Sequence, residues 1–119
     1  MGYGVTFDGE ITVDPPLNWG QIRRSPASDD LEMVQDEKKT DTEEGQTLVI
    51  SCARLRPQIE ADGYRVELQL QALVDIFGAA HTFGGYIECW GEDQGDLTRL
   101  VVREGKVLRI KPTITWPQI

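Results

Sequence analysis

No apolar run in the chain approaches the ~18 residues that a membrane-spanning helix needs, and Met1 to Glu10 carry neither a basic flank nor a cleavage pattern. These absences predict a cytoplasmic protein without membrane attachment. Histidine occurs once, at His81, and the two cysteines, Cys52 and Cys89, form no CxxC pair and have no histidine-rich neighbourhood. Reduced, buried thiols are the expectation, with one cross-strand disulfide as the alternative because both cysteines fall inside expected strands. Neither GxGxxG nor GxxxxGK[ST] occurs, and no helix follows Gly84-Gly85 or the glycines at Gly91 and Gly95 to offer its N-terminus, so nucleotide binding has no support. Basic charge is also short. Twelve Lys and Arg stand against 20 Asp and Glu, a net charge of -8, whereas nucleic-acid binding draws most of its affinity from basic side chains displacing counterions. Direct binding to DNA or RNA is therefore not expected.

What is present suffices for a core. A chain of 119 residues buries about two-thirds of the surface its unfolded form exposes, and three Trp, three Tyr and three Phe supply large anchors. No repeat, low-complexity tract or shift in composition marks a boundary, so residues 1–119 read as one domain.

Alternation predicts a strand over Tyr3 to Val13, with Tyr3, Val5, Phe7, Ile11 and Val13 on one face and Gly9 marking a bulge or bend. Pro15 and Pro16 are expected to end it. Asn18 as N-cap, Gln21 three positions on, and the Leu17 and Ile22 pair predict a short helix from Trp19, stopped before Pro26. Leu31 to Lys39 and Gln46 to Arg54 read as two strands joined by a loop from Asp41 to Gly45, an acidic hairpin whose first arm suits a charged edge strand. Val66, Leu70, Leu73, Val74 and Phe77 fall on one helical stripe between Asp62, an N-cap, and Gly78, an expected left-handed C-terminal cap. Phe83 to Trp90 reads as a strand with Phe83, Gly85, Ile87 and Cys89 on one face. Leu97 to Arg103 and Lys106 to Lys111 form a hairpin through Glu104-Gly105. The order predicts an α+β fold, an antiparallel or mixed sheet with one main helix and one short helix packed on it.

Several fragments together resemble a known group: Gly9-Glu10-Ile11, Pro15-Pro16-Leu17, Ser25-Pro26, Gly91-Glu92-Asp93, Gly95-Asp96-Leu97 and Trp116-Pro117. The chain is similar in these to an uncharacterised family of small actinobacterial and actinobacteriophage proteins, a domain of unknown function. The resemblance runs through the two ends and not through Asp29 to Ala61. It brings no site residue with it, and implies an intracellular accessory protein of phage type.

Four constellations bear on chemistry. Glu92, Asp93 and Asp96 gather carboxylates in a short glycine-containing loop, a set of hard oxygen donors for Ca²⁺ or Mg²⁺. It lacks the EF-hand spacing, and a solvated turn accounts for the same residues. Asp29, Asp30, Glu32, Asp36, Glu37, Asp41, Glu43 and Glu44 crowd a stretch relieved only by Lys38 and Lys39, while Arg99, Arg103, Lys106, Arg109 and Lys111 collect at the far end against Glu104 alone. The acidic stretch could imitate phosphates in a basic groove, or simply keep an edge hairpin soluble. His81 follows the expected helix cap, a surface or capping position. Ser25, Ser28 and Ser51 lack any nucleophile signature that would pair them with it. Trp19, Trp90 and Trp116 could stack on bases or sugars if exposed together, but read first as core anchors, with Tyr86 and Trp90 the pair that shares an exposable face.

The leading expectation is a non-enzymatic protein, without cofactor or metal, that binds a host or phage protein through Asp36, Glu37, Asp41, Glu43 and Glu44, as a monomer or homodimer. The alternative is a small metal-dependent enzyme or factor using Glu92, Asp93 and Asp96.

Overall fold

The computed structural model describes residues 6–26, 29–91, 96–113 and 117. Six strands, β1 (Thr6–Asn18), β2 (Leu31–Thr42), β3 (Gly45–Pro57), β4 (Thr82–Trp90), β5 (Leu97–Arg103) and β6 (Lys106–Ile110), accompany two helices, α1 (Trp19–Arg24) and α2 (Gly63–Phe77). The strands form one sheet in the order β2-β3-β1-β4-β5-β6, and every neighbouring pair is antiparallel. This corrects the α+β expectation and removes the mixed-sheet option: the fold is mostly antiparallel β-sheet. The helices have 15 and 6 residues, and α1 buries none of its own, so no helical layer matches the sheet in weight. Strand content exceeds the expectation because β1, β2 and β3 all run further than their side-chain patterns indicate.

β1 continues through Pro15 and Pro16, where an end was expected. Its pairing with β4 stops at Asp14, and its register with β3 shifts between Thr12 and Leu17. The two prolines occupy that interval, where no ladder needs an N–H from them. The Asp14-Pro15 bond is cis, and pairing resumes at Leu17, which is fully buried opposite Cys52. Further along, Gly9 (φ 89°) and Gly85 (φ 75°) bring β1 and β4 close. A Cβ at either would lie 2.5 Å from the Tyr86 carbonyl oxygen or 2.7 Å from that of Glu10.

The helix ends are set locally. Asn18 Oδ1 accepts from Gln21 N at 2.8 Å and Gln21 Oε1 accepts from Asn18 N at 2.9 Å, the reciprocal box that starts α1. Asp62 Oδ1 accepts from Tyr64 N and Arg65 N to start α2. Gly78, expected left-handed, is right-handed (φ -64°): the chain makes a further turn in which Ala80 N and His81 N both donate to Phe77 O, and Gly78 N donates to Val74 O, so these two carbonyls are satisfied without a left-handed residue.

The core lies between α2 and one sheet face. α2 buries Val66, Leu70, Leu73, Val74 and Phe77, the stripe expected from spacing, against Ile11, Leu55, Ile87 and Leu100 of the sheet. Trp19 and Trp90 are not its anchors. Trp19 and Trp90 are 46% and 47% exposed, Trp116 lies outside the described residues, and the fully buried side chains are aliphatic apart from Cys52. β4 carries Phe83, Ile87 and Cys89 into the core and leaves Tyr86 and Trp90 outside.

One polar network ties helix to sheet. Asp30 is buried; its Oδ1 accepts from Asp62 N at 2.8 Å and its Oδ2 accepts from Gln69 Nε2 at 3.3 Å, while Gln69 Oε1 accepts from Leu31 N at 3.1 Å. A residue that belongs by sequence to the acidic run is thus internal, bonded to the N-cap of α2. No described helix is long and apolar enough to cross a membrane.

Leu73→Ala should destabilise the protein by about 2–5 kcal/mol through lost burial and the cavity left behind. Leu68→Ala, at a helix position 51% exposed, should stay within about 0.5 kcal/mol of wild type in the same denaturant titration. Equal losses at the two positions would show that α2 packs by another face.

Candidate functional site

The acidic hairpin is longer and barer than expected. β2 and β3 stay paired from Leu31↔Pro57 out to Thr42↔Gly45, so the loop expected from Asp41 to Gly45 reduces to a turn at Glu43-Glu44. Thr42 Oγ1 closes the turn by donating to Gly45 O at 2.8 Å. Every residue from Gln35 to Val49 is exposed, so the outer part of this hairpin is a two-stranded ribbon, about 25 Å long, with no layer of described residues on either side. The radius of gyration is 17.2 Å. A compact chain of this length would have about 13.5 Å.

Register divides the ribbon into two faces. Glu37, Lys39 and Asp41 stand opposite Ile50, Leu48 and Gln46 on the side that continues to buried Cys52. Asp36, Lys38 and Thr40 stand opposite Ser51, Val49 and Thr47 on the other. Of the five acidic residues proposed from sequence, Asp36 pairs with Arg54 at 3.4 Å, an exposed contact of little energetic weight. Among the described residues Glu37, Asp41, Glu43 and Glu44 make no ion pair. Leu48, 51% exposed, lies on the face of Glu37 and Asp41, and Val49, 50% exposed, on the face of Asp36 and Lys38.

The basic end is at the opposite edge, in the β5–β6 hairpin, whose turn has Glu104 at φ 52° and Gly105 at φ 79°. Two of its five cations are neutralised at home. Arg99 bonds Glu88 at 2.7 Å and lies 4.3 Å from the centre of the Tyr86 ring, while Arg109 bonds Glu67 of α2 at 3.2 Å and Thr98 Oγ1 at 2.7 Å. Arg103, Lys106 and Lys111 have no such partner among the described residues. Arg103, Lys106, Glu104 and Leu108 line a shallow cavity of about 760 Å³.

The sheet face away from α2 carries Tyr86, Trp90 and Leu108, all more than a third exposed, with the Arg99 guanidinium over Tyr86. At its edge a cavity of about 200 Å³ is lined by Leu97, Arg99, Ile110 and Pro112 among others. No described helix covers this face.

The remaining candidates do not assemble into a site. His81, expected in a surface or capping position, is buried between α1 and the β1 prolines because both ring nitrogens are engaged there. Gln21 gives its oxygen to the Asn18 N–H, so its amide nitrogen faces the ring and donates to His81 Nε2 at 2.9 Å. The proton is therefore on Nδ1, which donates to Pro15 O at 2.6 Å. Ser25 Oγ donates to Gln21 O, Ser51 sits in β3 paired with Asn18 and Asp36, and Ser28 lies outside the described residues. Of the carboxylate loop, Glu92 and Asp93 also lie outside them. Asp96 is exposed and its carbonyl accepts from Gly91 N at 2.7 Å. Among the described residues no group of three or more His, Cys, Asp or Glu is placed to hold a metal ion.

Cys52 and Cys89 are free and buried, as expected, and are separated by β1: Cys52 pairs with Leu17 and Cys89 with Phe7, ten residues apart along the strand. A disulfide, which needs Cα atoms within ~7 Å, is excluded within one chain. Burial raises both thiols above their ordinary value of 9.0, against the lowering effect of hydrogen bonds at each and of Arg109 at Cys89. The folded state thus holds these protons where the unfolded state releases them. Their contribution to stability is whole below pH 9 and is lost as the pH rises towards the folded values. Native protein should resist alkylation at neutral pH at both thiols and react at both when unfolded. Cys52→Ala with Cys89→Ala should flatten the alkaline fall in stability, and an unchanged alkaline arm would assign it to other groups. In a ¹⁵N spectrum His81 should show its proton on Nδ1; a proton on Nε2 would reverse the Gln21 assignment.

No curated protein and no solved structure matches the chain. A family model does match, over residues 1–119, and so takes in the segment from Asp29 to Ala61 that the sequence resemblance did not reach. By that match the chain belongs to the family of unknown function DUF6205.

Proposed function

We propose that the protein is a non-enzymatic accessory factor that acts by binding another protein through its acidic ribbon, in the intracellular, phage-type setting that the sequence resemblance implies. The observation that carries this reading is the ribbon's construction. An isolated two-stranded hairpin is marginal in water, and this one extends beyond the body with Glu37, Asp41, Glu43 and Glu44 unpaired and Leu48 and Val49 uncovered. A ribbon that served solubility alone would need its charges but not the exposed aliphatic pair. A contact surface uses both: acids steer a basic partner into register, and apolar side chains supply the area that water leaves.

A photo-crosslinking residue at Thr47 tests the reading in cells that express the protein. Adducts with a protein should form from Thr47, disappear in Asp41→Lys/Glu43→Lys/Glu44→Lys, and be absent from a control at Tyr64, exposed on α2. Adducts that survive the reversal, or that form equally from Tyr64, would refute the ribbon as the contact. Binding should also weaken with salt, since exposed charges lose reach beyond ~8 Å at physiological ionic strength.

A further inference from the structure

We infer that the ribbon's partner includes a second copy of this chain: the acidic ribbon of one protomer seats on the basic β5–β6 hairpin of the next, giving a head-to-tail assembly. The inference rests on the ribbon being a contact surface, and goes beyond that reading by naming what it contacts.

The argument begins with charge and its placement. Four unpaired acids, Glu37, Asp41, Glu43 and Glu44, lie in the β2–β3 hairpin, while Arg103, Lys106 and Lys111, unpaired among the described residues, lie on or just beyond β5–β6. These hairpins are at opposite edges of a six-stranded sheet, about 24 Å apart across five strand spacings, and the ribbon points away from the body. The two sets cannot neutralise each other within one molecule. Between two molecules they can, and the surfaces agree in shape as well as sign. The ribbon is a narrow rod whose core-side face presents Leu48 opposite Lys39, flanked by Glu37 and Asp41. The receiving hairpin has the cavity lined by Arg103, Lys106, Glu104 and exposed Leu108, so an aliphatic side chain faces an aliphatic floor between ion pairs.

The opposing term is a net charge of -8, which repels copies. At physiological ionic strength that repulsion is screened beyond ~8 Å, whereas pairs in contact act within that distance. The contact joins two different surfaces, the ribbon of one copy and the β5–β6 hairpin of another. It closes as a two-fold dimer where both ribbon–hairpin contacts form reciprocally, and otherwise propagates as a ring or an open chain.

Purified protein and two charge variants decide the matter by sedimentation across a concentration series. Wild type should self-associate at physiological salt and dissociate in high salt. Asp41→Lys/Glu43→Lys/Glu44→Lys and, separately, Arg103→Glu/Lys106→Glu should each weaken self-association about tenfold or more. Both changes are at exposed positions, and unchanged melting curves confirm that the fold is kept. Mixing the two variants is the discriminating arm. Each then offers the other an oppositely charged ribbon and hairpin, so association should return in the mixture alone. Wild type that stays monomeric, variants that associate as wild type does, or a mixture that fails to recover would each overturn the inference. Ribbon-dependent crosslinks to a different protein, alongside a monomeric wild type, would leave the proposed function standing without it.

Discussion

Everything in the sheet depends on β1, because it is the one strand that joins two otherwise separate pieces. On one side stands the β2–β3 hairpin and on the other the β4-β5-β6 meander, each built from strands adjacent in sequence. β1 pairs with β3 through Ile11, Thr12, Leu17 and Asn18 and with β4 from Thr6 to Asp14. Its side chains Ile11, Val13 and Leu17 are the floor on which α2 rests. The close approach at Gly9 and Gly85 serves this junction, since an added Cβ at either would push the halves apart at the point where they meet. His81 secures the same strand further on by holding Pro15 O and Gln21 together, so the prolines that interrupt the ladder are fixed by a side chain instead.

Helical cover on one face only has consequences for the rest of the surface. α2 is held at its N-terminus by Asp30 through Asp62, near its middle by Gln69 against the start of β2, and by Gln71 against Val107 N and Gly105 O. These polar ties run from one edge strand to the other. They spend Arg109 on Glu67, while across the open face Arg99 is spent on Glu88 and Tyr86. The charge gradient evident in the sequence is therefore thinned in the fold. It is carried at one edge by the acids of the ribbon and at the other by Arg103, Lys106 and Lys111, so the molecule is electrically polar along the direction in which its strands are stacked.

Local signals were legible in the sequence where the physics is local. The Asn18–Gln21 box, the Asp62 cap, the stripe from Val66 to Phe77 and the Glu104-Gly105 turn all involve residues a few positions apart, and each stands as expected. What was illegible depends on distant partners. The passage of β1 through Pro15-Pro16 is possible only because both ladders are interrupted there, a fact of register with β3 and β4. Burial of Asp30 follows from Gln69 and Asp62, far along the chain, and nothing in an acidic run distinguishes it from Asp29. Trp19 and Trp90 misled for a related reason. Size favours burial in general, but Trp90 follows Cys89 on a strand whose other face no described helix covers. The fold class was misjudged because β1, β2 and β3 run past the ends expected for them; at the ribbon Gln35 to Thr42 carry no alternating apolar side chains, and so give no period-two signal that would extend β2 past Lys39.

That same missing signal bears on how the candidate site works. A strand with one buried face has its register specified by that face, since a slip of one residue would turn every apolar side chain outward. Beyond Gln35 the ribbon has no buried face, and its register is transmitted from the body, where Leu55 and Cys52 are buried, through the irregularity between Val34 and Gln35. Ordering therefore decreases from base to turn, and the outer pairs contribute least to global stability. Acids at the outer end cost the fold little there, whereas the same charges near Leu31 or Leu55 would have to be desolvated. The ribbon thus separates two requirements that conflict in a compact sheet: its base satisfies packing, and its tip is free to be selected for what it meets.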